Sequence, residues 1–199
     1  MVIGVLGGTF DPIQIAHLMS AEVVVDTLPV EKVFFVPAGD PPHKQGRLIT
    51  STVHRRSMVN LAIAANPRFE LCPVDLNRPG PHYSVDTVQL IREQNNLTAD
   101  DCYFIIGGDS LVDLPTWHQP EKLIEICRLV VVHRPGYQPD TAALAEQIPG
   151  LPDRLVWVEM PQISIAASQI RDWVKAGRSV RYQVPDEVWL YIQRCGLYQ

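Results

Sequence analysis

Between residues 7 and 17 the chain reads GGTFDPIQIAH, a glycine pair at the end of an apolar run and a lone histidine soon after it. Glycine permits a turn with positive φ, and a helix start leaves backbone N–H groups without intrahelical partners, so such a stretch can aim donors at an anion. Read locally, a strand ends at Leu6, Gly7 and Gly8 make the turn, and a helix begins near Ile15. Gln14 and His17 are three residues apart, which lets both side chains face the mouth where the helix dipole favours negative charge and a histidine can donate to phosphate. The spacing is not the G-x-G-x-x-G of dinucleotide-binding folds. The same residues also fit a plainer account: Thr9 or Asp11 serves the turn, Asp11-Pro12 stops the strand, and His17 is a satisfied surface or core histidine.

Such a turn needs a rigid frame. Apolar, β-branched runs recur at 2–6, 32–38, 69–74, 102–108, 128–134 and 154–160, too apolar for exposed strands. Between them, stretches with helical spacing occupy 15–28, 52–66, 84–95, 119–126, 140–148, 168–176 and 186–195. This alternation predicts an α/β fold, a Rossmann-like parallel sheet with helices on both faces and ligands at the carboxyl ends of the strands. The Pro/Gly-rich pieces 37–46, 77–81 and 135–139 read as loops, so residues 1–199 are expected to form a single domain.

Composition narrows the function. With 17 Lys+Arg against 22 Asp+Glu the formal net charge is −5, so no general affinity for nucleic acid or for an anionic membrane is expected. Cys72, Cys102, Cys127 and Cys195 are widely spaced without a CxxC pair, which suggests reduced thiols rather than a disulfide framework or a zinc site. The start MVIGVLGG turns to glycine after a short apolar run and has no basic leader, so it reads as neither signal peptide nor membrane span and a cytoplasmic protein is expected.

The segment GGTFDPIQIAHL resembles the signature GGTFDPIHxGHL of the nicotinate mononucleotide (nicotinate-nucleotide) adenylyltransferases, within the HxGH nucleotidyltransferase superfamily. The similarity continues in order through VPAGDPPHK (36–44), HRRSMVNLA (54–62), GPHYSVDT (80–87), FIIGGDSLVDLPTWHQPEKL (104–123), VVVHRPG (130–136) and the C-terminal ISIAASQIR…LY (163–198). The resemblance implies the nucleotidyltransferase fold and transfer of the adenylyl group of ATP to nicotinate mononucleotide, giving nicotinate adenine dinucleotide and pyrophosphate, a step of NAD biosynthesis. Mg²⁺ would ride on the ATP phosphates, and a homo-oligomer is common in the resembled family.

Residue by residue, the resemblance implies that Gly8, Thr9, Phe10, His17, Gly107, Asp109, Arg134, Ser168 and Arg171 bind ATP. Lys44, Tyr83, Ser84, Asp86, Thr87 and Trp117 would hold the acceptor, with Trp117 stacked on the pyridine ring. His17, Gln14, Lys44 and Arg171 would carry catalysis. Ser168 and Arg171, three apart at a helix start, can converge on one phosphate, or be an N-cap and a surface ion pair; Asp109 can instead cap the next helix, Lys44 and Arg134 can be solvated cations, and His118 reads as surface. The chain departs from the pattern at Gln14 and Ala16, where the signature has histidine and glycine, at Ala166-Ala167, and at His82 and Ser84. Gln14 keeps a donor but brings no positive charge. Two alternatives stay open: a nucleotide-binding homologue with weak or lost catalysis, and an adenylyltransferase using nicotinamide mononucleotide.

Overall fold

The computed structural model describes residues 1–41, 49–137 and 139–199, and Lys44 and His43 lie outside them. Six parallel strands form one sheet: β1 (Ile3–Gly8), β2 (Lys32–Pro37), β3 (Phe69–Leu71), β4 (Cys102–Gly107), β5 (Arg128–His133) and β6 (Leu155–Glu159). Their spatial order is β3-β2-β1-β4-β5-β6, so the order reverses between β1 and β4 and opens a crevice at the carboxyl ends of these two strands. The helices are α1 (Ile15–Thr27), α2 (Thr52–Ile63), α3 (Ser84–Asn95), α4 (Gly108–Asp113), α5 (Pro120–Ile126), α6 (Thr141–Gln147), α7 (Leu151–Arg154), α8 (Ala167–Lys175) and α9 (Asp186–Arg194).

The strands are apolar on every residue in turn because both faces of the sheet are covered. Val33, Phe35, Ile105, Val130 and Val132 face a core shared with Val24 of α1, Met58 of α2, Ile170 of α8 and Ile192 of α9. Their strand neighbours Phe34, Val36, Phe104, Leu129 and Val131 face the opposite core, with Ile91 of α3, Leu111 of α4, Leu123 of α5 and Leu144 of α6. Among the described residues no helix is long and apolar enough to cross a membrane.

Each expected strand and helix occurs, with differences at the ends. β1 does not stop at Leu6: Gly7 and Gly8 continue its register opposite Val36 and Pro37. Neither glycine has positive φ; the left-handed residue of the turn is Phe10, at φ 49°. Gly8 is required for a different reason, since a Cβ there would lie 2.9 Å from the Phe10 ring. β3 ends at Leu71 rather than at residue 74, because Pro73 has no N–H to continue the ladder and the chain turns there, with Leu76 N–H donating to the Pro73 carbonyl. The short helices α4 and α7 were not expected.

The packing sets a contrast that chemical denaturation can check. Leu129→Ala, on β5 with a fully buried side chain, is expected to lower stability by about 2–5 kcal/mol. Leu190→Ala, on α9 and 50% exposed, is expected to change it by less than about 0.5 kcal/mol.

Candidate active site

A cavity of about 500 Å³ opens at the strand reversal. Gly7 and Gly8 of β1 and Ile106 and Gly107 of β4 form its floor, Ala16, His17 and Ser20 of α1 one wall, and Tyr83, Ser84, Trp117 and His118 the facing wall. The α1 wall begins with a reciprocal pair: Gln14 N–H donates to His17 Nδ1 at 3.1 Å, and His17 N–H donates to the Gln14 carbonyl at 3.0 Å. With Nδ1 accepting, the neutral ring carries its proton on Nε2. Phe10 packs edge-on against the imidazole, with centroids 5.1 Å apart. Gln14 does not line the cavity; it is 7% exposed and its Oε1 has no hydrogen-bond partner among the described residues.

Beneath this turn lies a residue to which the sequence reading gave no role. The Arg55 side chain is 1% exposed, and it donates to four backbone carbonyls: Nε to Thr50 at 2.9 Å, Nη1 to Thr9 and Ala38 at 2.7 Å each, and Nη2 to Gly39 at 3.2 Å. Burial pulls the Arg55 pKa down, and the nearby Asp11 carboxylate opposes that shift. Asp11, 5% exposed, accepts from the Tyr198 hydroxyl at 2.7 Å and from Thr50 N–H at 3.2 Å. Its backbone carbonyl accepts from Arg171 Nη1 at 2.7 Å. Burial and then Asp11 push the Tyr198 hydroxyl pKa well above its ordinary value, so this hydroxyl is a donor throughout the neutral range. A signal for Arg55 was present: residues 55, 58, 59 and 63 all face inward from α2, which places the arginine on the apolar stripe of its helix.

The facing wall is also braced from behind. His82, 7% exposed, accepts from Asp40 N–H at 2.7 Å through Nδ1 and reaches the Arg78 carbonyl at 3.1 Å through Nε2. Thr87, expected among the substrate donors, lines the cavity with its hydroxyl bonded into the wall behind it. Its hydroxyl, 2.9 Å from both oxygens of the buried Asp75 carboxylate and 3.0 Å from the Tyr83 carbonyl, has its single proton committed within the wall. Arg78 completes this cluster with an ion pair to Asp75 at 2.9 Å. Ser84 opens α3, whose N-cap Tyr83 makes no side-chain cap, so the first N–H groups of the helix have no intrahelical acceptor. Tyr83 stacks on His118 with ring centroids 4.1 Å apart, and Trp117 meets Phe104 edge-on at 6.3 Å. His118 is exposed as expected, yet it belongs to the cavity wall.

Of the expected residues, Gly8, Thr9, His17, Tyr83, Ser84, Thr87, Gly107 and Trp117 line the cavity, and Phe10 packs under it. Asp86, Asp109, Arg134, Ser168 and Arg171 do not line it. Asp109 is not a cap, since Gly107 holds that position of α4. Arg134 is exposed after β5, and Ser168 is exposed in the first turn of α8. Arg171 joins the site through the Asp11 carbonyl.

Arg55→Leu would strand its carbonyl partners in a dry environment, so a loss of about 3 kcal/mol or more is expected in denaturant unfolding, together with weakened nucleotide binding. Arg55→Lys is expected to restore little, because one ammonium lacks the planar fork that reaches separate carbonyls.

A family model described as cytidylyltransferase-like matches residues 5–173. A relative from Thermomicrobium roseum, described as a probable nicotinate-nucleotide adenylyltransferase, is 47% identical over 197 residues, which cover 99% of this chain and 91% of the relative. A relative of the same description from a Roseiflexus species is 44% identical over 197 residues, covering 99% and 98%. Among solved structures, the nicotinic acid mononucleotide adenylyltransferase of Plasmodium falciparum, complexed with APC in one structure and with NaAD in another, has a TM-score of 0.77 at 21% identity and covers 98% of this chain and 96% of that one. That likeness shows the fold. The full-length identity to the bacterial relatives shows the family: this chain belongs to the nicotinate-nucleotide adenylyltransferases, among the cytidylyltransferase-like proteins.

Proposed function

We propose that the chain transfers the adenylyl group of ATP to nicotinate mononucleotide, forming nicotinate adenine dinucleotide and pyrophosphate in NAD biosynthesis, as a cytoplasmic enzyme. One observation carries this reading: a single cavity faces a glycine turn with His17 on one side and an aromatic wall of Tyr83, Trp117 and His118 on the other, which suits a triphosphate and a flat aromatic acid together.

In the proposed reaction an oxygen of the mononucleotide phosphate attacks the α-phosphorus of ATP, and the bond to the bridging oxygen breaks in line as pyrophosphate leaves. The attacking phosphate is already ionised near neutral pH, so positioning and charge neutralisation matter more than a strong base. His17 offers Nε2–H to the phosphates, its ring fixed by Gln14 N–H on Nδ1. Arg171 supplies positive charge, and Ser168 with the uncapped start of α8 supplies neutral donors. Gln14 is a weaker partner that acts mainly through its backbone N–H. Gly107 allows close approach of the nucleotide, with Asp109 and Arg134 beyond it. Lys44, outside the described residues, is assigned to orienting the substrates.

On the acceptor side, Trp117 stacks on the pyridine while Tyr83, Ser84 and the first N–H groups of α3 meet the carboxylate, with Asp86 toward the ribose. An acid gains more than an amide from a helix start, which favours nicotinate over nicotinamide mononucleotide. Among the described residues no three His, Cys, Asp or Glu side chains gather as a metal site; Mg²⁺ would enter with ATP as part of the substrate and would supply charge neutralisation.

The test is pyrophosphate release from Mg-ATP with each mononucleotide. Release with the acid, exceeding that with the amide, is the expected result; preference for the amide would overturn the substrate assignment, and nucleotide binding without release would favour a homologue that has lost catalysis. His17→Ala is expected to lower kcat by about 10²–10³-fold. Trp117→Ala should raise the KM for the acceptor by about tenfold while leaving the KM for ATP nearly unchanged.

A further inference from the structure

The Asp11 carboxylate lies near two arginines yet is bonded to neutral donors, the Tyr198 hydroxyl on Oδ1 at 2.7 Å and Thr50 N–H on Oδ2 at 3.2 Å. Arg55 is nearby and turned to backbone carbonyls. Arg171 reaches the same aspartate at a different atom, with Nη1 on the backbone carbonyl at 2.7 Å. An arginine and a carboxylate this close would ordinarily close into a charge-assisted pair, often a bidentate one, which would use up the guanidinium. The hydroxyl of Tyr198 fills one carboxylate oxygen without adding charge, so Asp11 still opposes the burial of Arg55. Tyr198 holds this position from a left-handed backbone, at φ 66°, an uncommon conformation for a residue other than glycine.

We propose that Tyr198 is a positioning residue for ATP: by occupying the Asp11 carboxylate it keeps Arg171 from folding onto that carboxylate, so the guanidinium stays anchored on the Asp11 carbonyl with its other donors turned to the triphosphate. The proposal rests on the assignment of Arg171 to the triphosphate made above. Without the hydroxyl, the vacated oxygen is a charged acceptor on the same residue that Arg171 already contacts. The charge that should meet ATP is then neutralised inside the protein.

The experiment is steady-state pyrophosphate release with ATP and nicotinate mononucleotide varied in turn, for the unaltered chain, Tyr198→Phe, Asp11→Asn, the double variant and Arg171→Ala, each with a thermal unfolding curve. Tyr198→Phe keeps the ring and removes only the hydroxyl; it is expected to raise the KM for ATP about tenfold and to shift the KM for the acceptor less than about twofold. Asn at position 11 has no charge with which to capture Arg171. The double variant is therefore expected to return the KM for ATP to within about threefold of the unaltered chain, a non-additivity that lost packing would not produce. Additive losses in the double variant, or equal shifts in both KM values, would overturn the proposal. If the single Tyr198→Phe chain does not fold, the double variant is compared with Asp11→Asn: an equal KM for ATP supports the proposal and a further rise overturns it. Arg171→Ala separates the two ideas. An unchanged KM for ATP would sink the assignment of Arg171 and the proposal with it, whereas a raised one beside an unaffected Tyr198→Phe would sink the proposal alone.

Discussion

The buried guanidinium of Arg55 is the constraint on which the ligand-facing loops depend. It holds the carbonyls of Thr9 after β1, Ala38 and Gly39 after β2, and Thr50 before α2. A buried polar group left without a partner costs about 1–3 kcal/mol, so these segments cannot drift apart independently. A planar, always-charged group with diverging N–H donors suits this task, and Asp11 keeps its charge tolerable at a distance while serving as a second junction for Thr50, Tyr198 and Arg171. The glycine turn is thus fixed from below by polar contacts and from the side by the Phe10 ring.

The sheet supplies the other half of the arrangement. Because the strand order reverses between β1 and β4, helices leave the two strands in opposite directions and the ends of both strands remain accessible. The α1 side presents neutral donors near glycines, and the α3 side presents stacked rings braced by His82, Asp75 and Thr87. The departure at position 14 is accommodated within this plan: the backbone N–H of Gln14, which any residue but proline would supply, orients His17. The glutamine side chain itself is buried, and its oxygen has no hydrogen-bond partner among the described residues.

Much of this was legible in the sequence. The strands could be read because burial on both faces demands unbroken apolar runs such as KVFFVP and RLVVVH, and the helices because their apolar residues recur with helical period. Gly8, His17, Tyr83 and Trp117 could be placed in the segments that end or follow strands, the side of such a sheet where ligands bind. What escaped was governed by three-dimensional pairing. The positive φ sits on Phe10 rather than on a glycine because the buried ring, packed on His17 and Phe35, holds the turn in shape. The bond of Thr87 to Asp75 could not be foreseen because the partner lies twelve residues earlier, on a loop whose path the sequence did not reveal. Helices α4 and α7 are too short to show a period.

The bond between Tyr198 and Asp11 spans 187 residues of sequence. On the ribosome, therefore, the first turn of the chain emerges long before its most distant partner has been made. Strands β1 and β2 can pair early, but the carboxylate beside them must wait for α9 to dock. Assembly of the glycine turn is then among the late events of folding, and a nascent chain carries the sheet before it carries a finished site.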